Sequence, residues 1–234
     1  MTQEVTAARA SFSANGKTAE GFLAQPTVTT SAPGLVLIQE WWGLNPHIEN
    51  IAERYAREGY VVAAVDLYDG KITQDPTEAG QLMSSLDPQA ALEKLGTTIA
   101  WLREQPNVSA VGVTGFCMGG VYTLLAASNF DVEAAAPFYG IPDDLSVLQG
   151  LSCPVLFIGG EKDQWITVEK MNKLDAALKQ YGKEAEVKIY AGADHAFFND
   201  TRPEVYSPQD AADAWQSVLN FFEKHLKKGQ AAGA

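Results

Sequence analysis

The stretch GLVLIQE, Gly34 to Glu40, carries four consecutive apolar residues from Leu35 to Ile38, and that run limits the fold more than any other feature of the chain. A strand with one wet face alternates apolar and polar residues. A strand apolar on both faces must be covered on both, which calls for helices above and below a mostly parallel sheet. The remaining sequence keeps the matching rhythm. Helices are expected over Pro46 to Glu58, within Pro76 to Gln105, and over Met118 to Ser128, Thr167 to Gln180 and Pro208 to Lys227. Strands are expected over Tyr60 to Val65, Val108 to Thr114, Val132 to Phe138, in CPVLFIGG at Val155 to Ile158, and in AEVKIYAG at Glu186 to Tyr190. Ahead of them, Val5 to Ala24 holds Asn15-Gly16 between two mixed runs, the sequence form of a tight hairpin, so an antiparallel pair should open the sheet. The expectation is α/β: one domain over 1–234, a mostly parallel central sheet with an antiparallel N-terminal edge, and helices on both faces. No linker or internal repeat divides it, and 229–234, at the end of KKGQAAGA, reads as a disordered tail.

Composition narrows the partners. The 234 residues are 46% hydrophobic, enough to fill a sizeable core. Seventeen Lys and Arg against 29 Asp and Glu give a formal net charge of −12, the wrong sign for nucleic acid or an anionic membrane surface. No segment reaches the roughly 18 apolar residues of a membrane span, and MTQEVTAARA lacks the basic and apolar regions of a signal peptide; a cytoplasmic protein is expected. Cys117 and Cys153 are the two thiols, and nothing has the spacing of a metal knuckle. Neither metal nor cofactor is expected.

In parallel sheets, functional groups gather in loops at the carboxyl ends of the strands, and four such ends carry unusual residues. VTGFCMGG places Cys117 between a strand and a helix with the spacing G-x-C-x-G, the form of a nucleophile elbow with sulfur in place of oxygen. There a helix N-terminus favours the thiolate, although a buried free cysteine is the ordinary fate of the residue. Asp163, in FIGGEKDQWIT, could orient an imidazole; it reads equally well as a loop acid, and Glu161 is its rival. His195, in YAGADHAFFND, is the best base of three histidines, since His225 sits among lysines and His47 at a helix start. Cys117, Asp163, His195 is the chain order of the α/β-hydrolase triad. The fourth end, LIQEWWGLNPHI, sets Glu40 beside two tryptophans in the loop that donates one oxyanion-hole N–H in that fold, which would make Trp41 and Met118 the donors.

Together, IQEWWGLN, VTGFCMGG, GEKDQWIT and GADHAFFND resemble the dienelactone hydrolase (carboxymethylenebutenolidase) family of the α/β-hydrolase superfamily, in order and over nearly the whole chain. The resemblance implies a cysteine nucleophile at Cys117, Asp163 and His195 completing the triad, and Glu40 contacting the thiol. Such a glutamate has a chemical rationale: a thiol of pKa about 8.5 is mostly protonated at neutral pH, and a nearby carboxylate could take its proton when substrate arrives. The implied activity is hydrolysis of a lactone or ester bond of a small anionic substrate through an acyl-enzyme, without cofactor, by a monomer or homodimer. A general carboxylesterase or thioesterase of the same fold is the alternative, and a non-catalytic thiol sensor or ligand-binding relative a remoter one. Family members acting on dienelactones grip the substrate carboxylate with arginines. Here DLYDGKITQDP offers Lys71 and no arginine, and the first arginine after His195 is Arg202, so either a clamp is rebuilt from Lys71 and Arg202 or the substrate differs. Tyr139, Trp165 and Phe198 are candidates for an apolar pocket.

Overall fold

The structure, a computed structural model, describes residues 3–28 and 31–227; the tail expected at 229–234 lies outside the described residues. A hairpin of β1 (Val5–Ala14) and β2 (Lys17–Pro26) comes first, followed by β3 (Ala32–Ile38), α1 (Pro46–Arg57) and β4 (Val61–Val65). Next are α2 (Pro76–Ser85), α3 (Pro88–Glu104), β5 (Val108–Phe116), α4 (Met118–Asn129) and β6 (Ala134–Phe138). A 3-10 turn over Leu145–Gly150, β7 (Val155–Gly160), α5 (Val168–Gln180), β8 (Ala185–Tyr190) and α6 (Pro208–Leu226) complete it.

The strands form one sheet of spatial order β1-β2-β4-β3-β5-β6-β7-β8. From β4 to β8 all pairings are parallel, while β1 and β2 are antiparallel to each other and β2 to β4. The hairpin turns at Asn15 and Gly16, both at positive φ, as an Asn-Gly turn requires. The structure bears out the expected single sheet with its antiparallel N-terminal edge. The segment expected to hold helices between Pro76 and Gln105 resolves into two, because Asp87 caps α3 by accepting the Gln89 N–H (2.9 Å) with Pro88 at its first position.

Alternate residues of β3 feed two cores. Leu35 and Leu37 join Ile48, Ile51 and Tyr55 of α1 and Val218 and Phe222 of α6 on one face. Val36 and Ile38 join Leu95 and Ile99 of α3, Leu124 of α4 and Leu174 of α5 on the other. That double burial explains why the run from Leu35 to Ile38 is apolar without alternation. Topology then locates the crevice. The chain leaves β3 toward β4 on one side and returns to β5 on the other, and the strand order reverses where β3 and β5 end side by side. Glu40 follows the first of these strands and Cys117 the second. Among the described residues, no helix is long and apolar enough to cross a membrane.

Candidate active site

Cys117 sits between β5 and α4 at φ 55° and ψ −116°, a conformation that is strained for a side-chain-bearing residue. The surroundings enforce it. The Cys117 N–H donates to the Phe138 carbonyl (3.1 Å), and the Cys117 carbonyl accepts from the Gly120 N–H (2.9 Å), starting the helix. A side chain on Gly119 would run into the carbonyl oxygens of Ile38 and Gln39, and one on Gly115 into the Gly119 carbonyl. The G-x-C-x-G spacing is therefore a steric requirement: β5 and α4 can meet at this angle, with the thiol at the apex, when the flanking positions lack Cβ atoms.

His195 and Asp163 approach from the ends of β8 and β7. The Asp163 carboxylate is fully buried; its Oδ2 lies 2.6 Å from His195 Nδ1, and its Oδ1 accepts the Trp165 and Ile166 N–H groups, each at 2.8 Å. Glu161 instead accepts the Gly192 N–H (2.8 Å) and is exposed, so of the two candidate acids it is Asp163 that meets the imidazole. Burial of the ring disfavours imidazolium, but the Asp163 hydrogen bond and the interaction with Cys117 outweigh it and push the His195 pKa up to about 10. Trp165 covers the ring edge-on at 4.8 Å between centroids and Tyr139 lies at 5.0 Å. His47 and His225 are placed elsewhere, His47 3.2 Å from Asp200 and His225 on α6 beside Phe221.

Glu40 is buried at the end of β3, and burial raises its pKa, with His195, Asn199, Arg202 and the Tyr139 hydroxyl pulling the other way. Its hydrogen bond goes to Asn199 rather than to the thiol: Asn199 Nδ2 donates to Glu40 Oε2 at 2.9 Å. The amide cannot turn over, because Asn199 Oδ1 already accepts from the Thr201 N–H (3.0 Å) and hydroxyl (2.6 Å). Glu40 Oε1 and the Tyr139 hydroxyl are both buried without a hydrogen-bond partner. They are near enough to interact, for burial and the Glu40 charge together raise the Tyr139 pKa well above its ordinary value. Asn199 escapes sequence reasoning. Its signal, an Asn four residues past the histidine, acquires meaning when Glu40 is seen beside it.

These residues line a cavity of about 300 Å³ that contains Cys117, His195, Glu40, Trp41, Met118 and Tyr139. Trp41 and Met118, the expected oxyanion donors, both line the cavity, and no bond from either N–H to a loop, turn or cap carbonyl is found among the described residues. Met118 itself is braced by the Tyr68 hydroxyl, which donates to its sulfur at 3.2 Å. Trp165 and Arg202 also line the cavity. Two expected residues do not. Phe198 is buried in the core, stacked on Phe116 at 5.3 Å with Arg54 over its ring, because the chain turns at Ala196 (φ 62°) and sends the Phe pair inward. Lys71 is exposed on the loop after β4, outside the cavity lining. The expected pairing of Lys71 with Arg202 is thus not formed.

Comparison with known proteins agrees with this architecture. The family model "Dienelactone hydrolase family" matches residues 19–226. "Protein usf" of Aquifex pyrophilus is 36% identical over 228 residues, spanning 92% of this chain and 97% of that protein. A protein of Aquifex aeolicus named "Putative carboxymethylenebutenolidase" is 32% identical over 227 residues, with 92% and 97% covered. The crystal structure titled "Putative Dienelactone Hydrolase" from Klebsiella pneumoniae superposes with a TM-score of 0.87 at 28% identity, covering 95% of this chain and all of that one.

Proposed function

The chain belongs to the dienelactone hydrolase family and is a carboxylic ester hydrolase; from that premise we propose that it cleaves a lactone or ester bond through a Cys117–His195–Asp163 triad and a thioester intermediate. The observation that carries this reading is the 2.6 Å contact of Asp163 Oδ2 with His195 Nδ1, made by a ring that also interacts with a cysteine held at a strained elbow.

The steps follow from the groups present. Glu40, whose Oε1 is unpartnered, takes the thiol proton as substrate enters. The thiolate attacks the carbonyl carbon, forming a C–S bond, while the Trp41 and Met118 N–H groups hold the developing oxyanion. Collapse breaks the C–O bond, and the leaving oxygen takes a proton from His195, which Asp163 has kept as imidazolium. Neutral His195 then removes a proton from water, the hydroxide adds to the thioester, and the C–S bond breaks. The departing thiolate recovers its proton from Glu40, so one water is consumed and an acid and an alcohol are released. In a lactone the two stay joined as a hydroxy acid or its tautomer.

Mass spectrometry tests the intermediate directly. Mixing with excess p-nitrophenyl acetate and quenching within the first turnovers should give an acetylated peptide containing Cys117. Turnover without acylation at Cys117 would sink the proposal.

A further inference from the structure

A carboxylate-bearing substrate needs a free cation at the site, and the cavity does not offer one. The His195 imidazolium is already matched by Asp163, and Arg202 is the other cation among the cavity's described lining residues. Its Nε and Nη2 both donate to Glu204 Oε1, each at 2.8 Å, and its guanidinium lies 5.9 Å from the Trp42 ring centre. Lys71 is outside the lining. Asp163 is matched by His195, but Glu40 is buried at the site without such a counter-charge of its own, and a substrate carboxylate would enter beside it without a fresh partner to offset its desolvation.

The walls are apolar instead. The exposed large hydrophobic residues among those described are Val28, Ile72, Met83 and Trp165, and two of the four, Met83 (42% exposed) and Trp165 (61%), line this one cavity. Trp41, Trp42, Val121 and Ile166 extend the lining behind them. Met83 comes from α2, a helix of ten residues of which Ala79 alone is buried, so little of that helix's packing holds it in place apart from the site. Large apolar side chains concentrated at the mouth of a pocket mark a recognition surface for an apolar group. Position assigns that group a role: Trp165 packs on His195, and His195 must reach the leaving oxygen, so Trp165 flanks the part of the substrate attached there.

We propose that the cavity selects neutral esters or lactones bearing a ring-sized apolar substituent, held between Met83 and Trp165, in preference to carboxylate-bearing ones. This rests on the ester-hydrolase reading above and adds the substrate class. The cavity volume of about 300 Å³ lies at the small end of ligand pockets and suits one or two rings.

The experiment compares kcat/KM for 1-naphthyl acetate and 4-acetoxybenzoate, which share the acetyl group and differ in ring size and charge. The native enzyme should favour the naphthyl ester by at least about tenfold. Met83→Ala and Trp165→Ala, both at exposed positions, should each shrink that ratio to under about threefold, and taking the ratio cancels any general effect on His195. Equal or reversed preference in the native enzyme, or a ratio unmoved by both substitutions, overturns the proposal while leaving the hydrolase reading standing. Absence of Cys117-dependent turnover on every ester removes that reading and the proposal with it.

Discussion

The two cysteines sit at the ends of β5 and β7, with β6 between those strands, in opposite surroundings. Cys153, just ahead of β7, is buried in the core on the α3, α4 and α5 side, and burial pushes its thiol up to about 12. Cys117, just after β5, is partly exposed, carries a left-handed backbone angle of 55°, and shares a cavity with His195 and Glu40. Both are single cysteines beside apolar strands. What separates them is which end of the strand they occupy: the carboxyl end faces loops and a helix N-terminus, the amino end faces packed side chains.

The largest expected effect breaks the pair apart. Cys117→Ala should lower kcat/KM on an aryl ester by at least about 10⁴-fold, while Cys153→Ala, which touches nothing at the site, should change it by less than about twofold. Comparable losses from both would mean that the contrast between the two thiols is one of folding and not of chemistry.

The second test moves to the acids that share the loop after β7. Asp163→Asn should cost on the order of 10³ to 10⁴-fold, because the amide leaves the imidazolium unsupported and admits the wrong tautomer. Glu161→Gln, which disturbs one hydrogen bond to Gly192, should stay within about threefold. Steady-state kinetics of the two variants, beside circular dichroism to confirm folding, decide it.

The smallest effect is on stability and sharpens the contrast in electrostatics. Burial raises the Glu40 pKa above its ordinary 4.5, so the folded state binds this proton more tightly than the unfolded chain does. The associated stability is fully present below pH 4.5 and is lost as pH rises through the raised value. Glu40→Gln removes that loss, so its melting temperature relative to the native protein should climb between pH 4 and pH 8. Cys153→Ala should show no such trend, since a thiol pushed up to about 12 stays protonated throughout. A flat difference for Glu40→Gln would mean that Glu40 is as easily ionised in the fold as in water.

Much of this is legible in residue order. The doubly apolar β3, the Asn-Gly hairpin and the βα alternation predict the sheet because each reports a local period of burial. The strained elbow at Cys117 is legible because its glycines answer a steric demand made within one strand-helix turn. Asn199 is not. Its bond to Glu40 spans 159 residues, and an Asn after two phenylalanines looks like any loop polar group. Phe198 misleads for a related reason: it shares a loop with His195, yet the turn at Ala196 sends it to the opposite side. Lys71 misleads because a cation of the right type in the right segment need not face the cavity.

By itself, then, the sequence determined the layering of the sheet, the position of the strained cysteine and the order in which Cys117, Asp163 and His195 follow their strands, since periodicity and turn sterics act over a few residues. The tertiary structure alone decided that Asp163 rather than Glu161 meets His195, that a neutral amide holds Glu40, and that Arg202 is already engaged by Glu204. Buried polar groups are satisfied by whatever partners the closing of distant loops brings within about 3 Å, and that proximity is written in no local pattern.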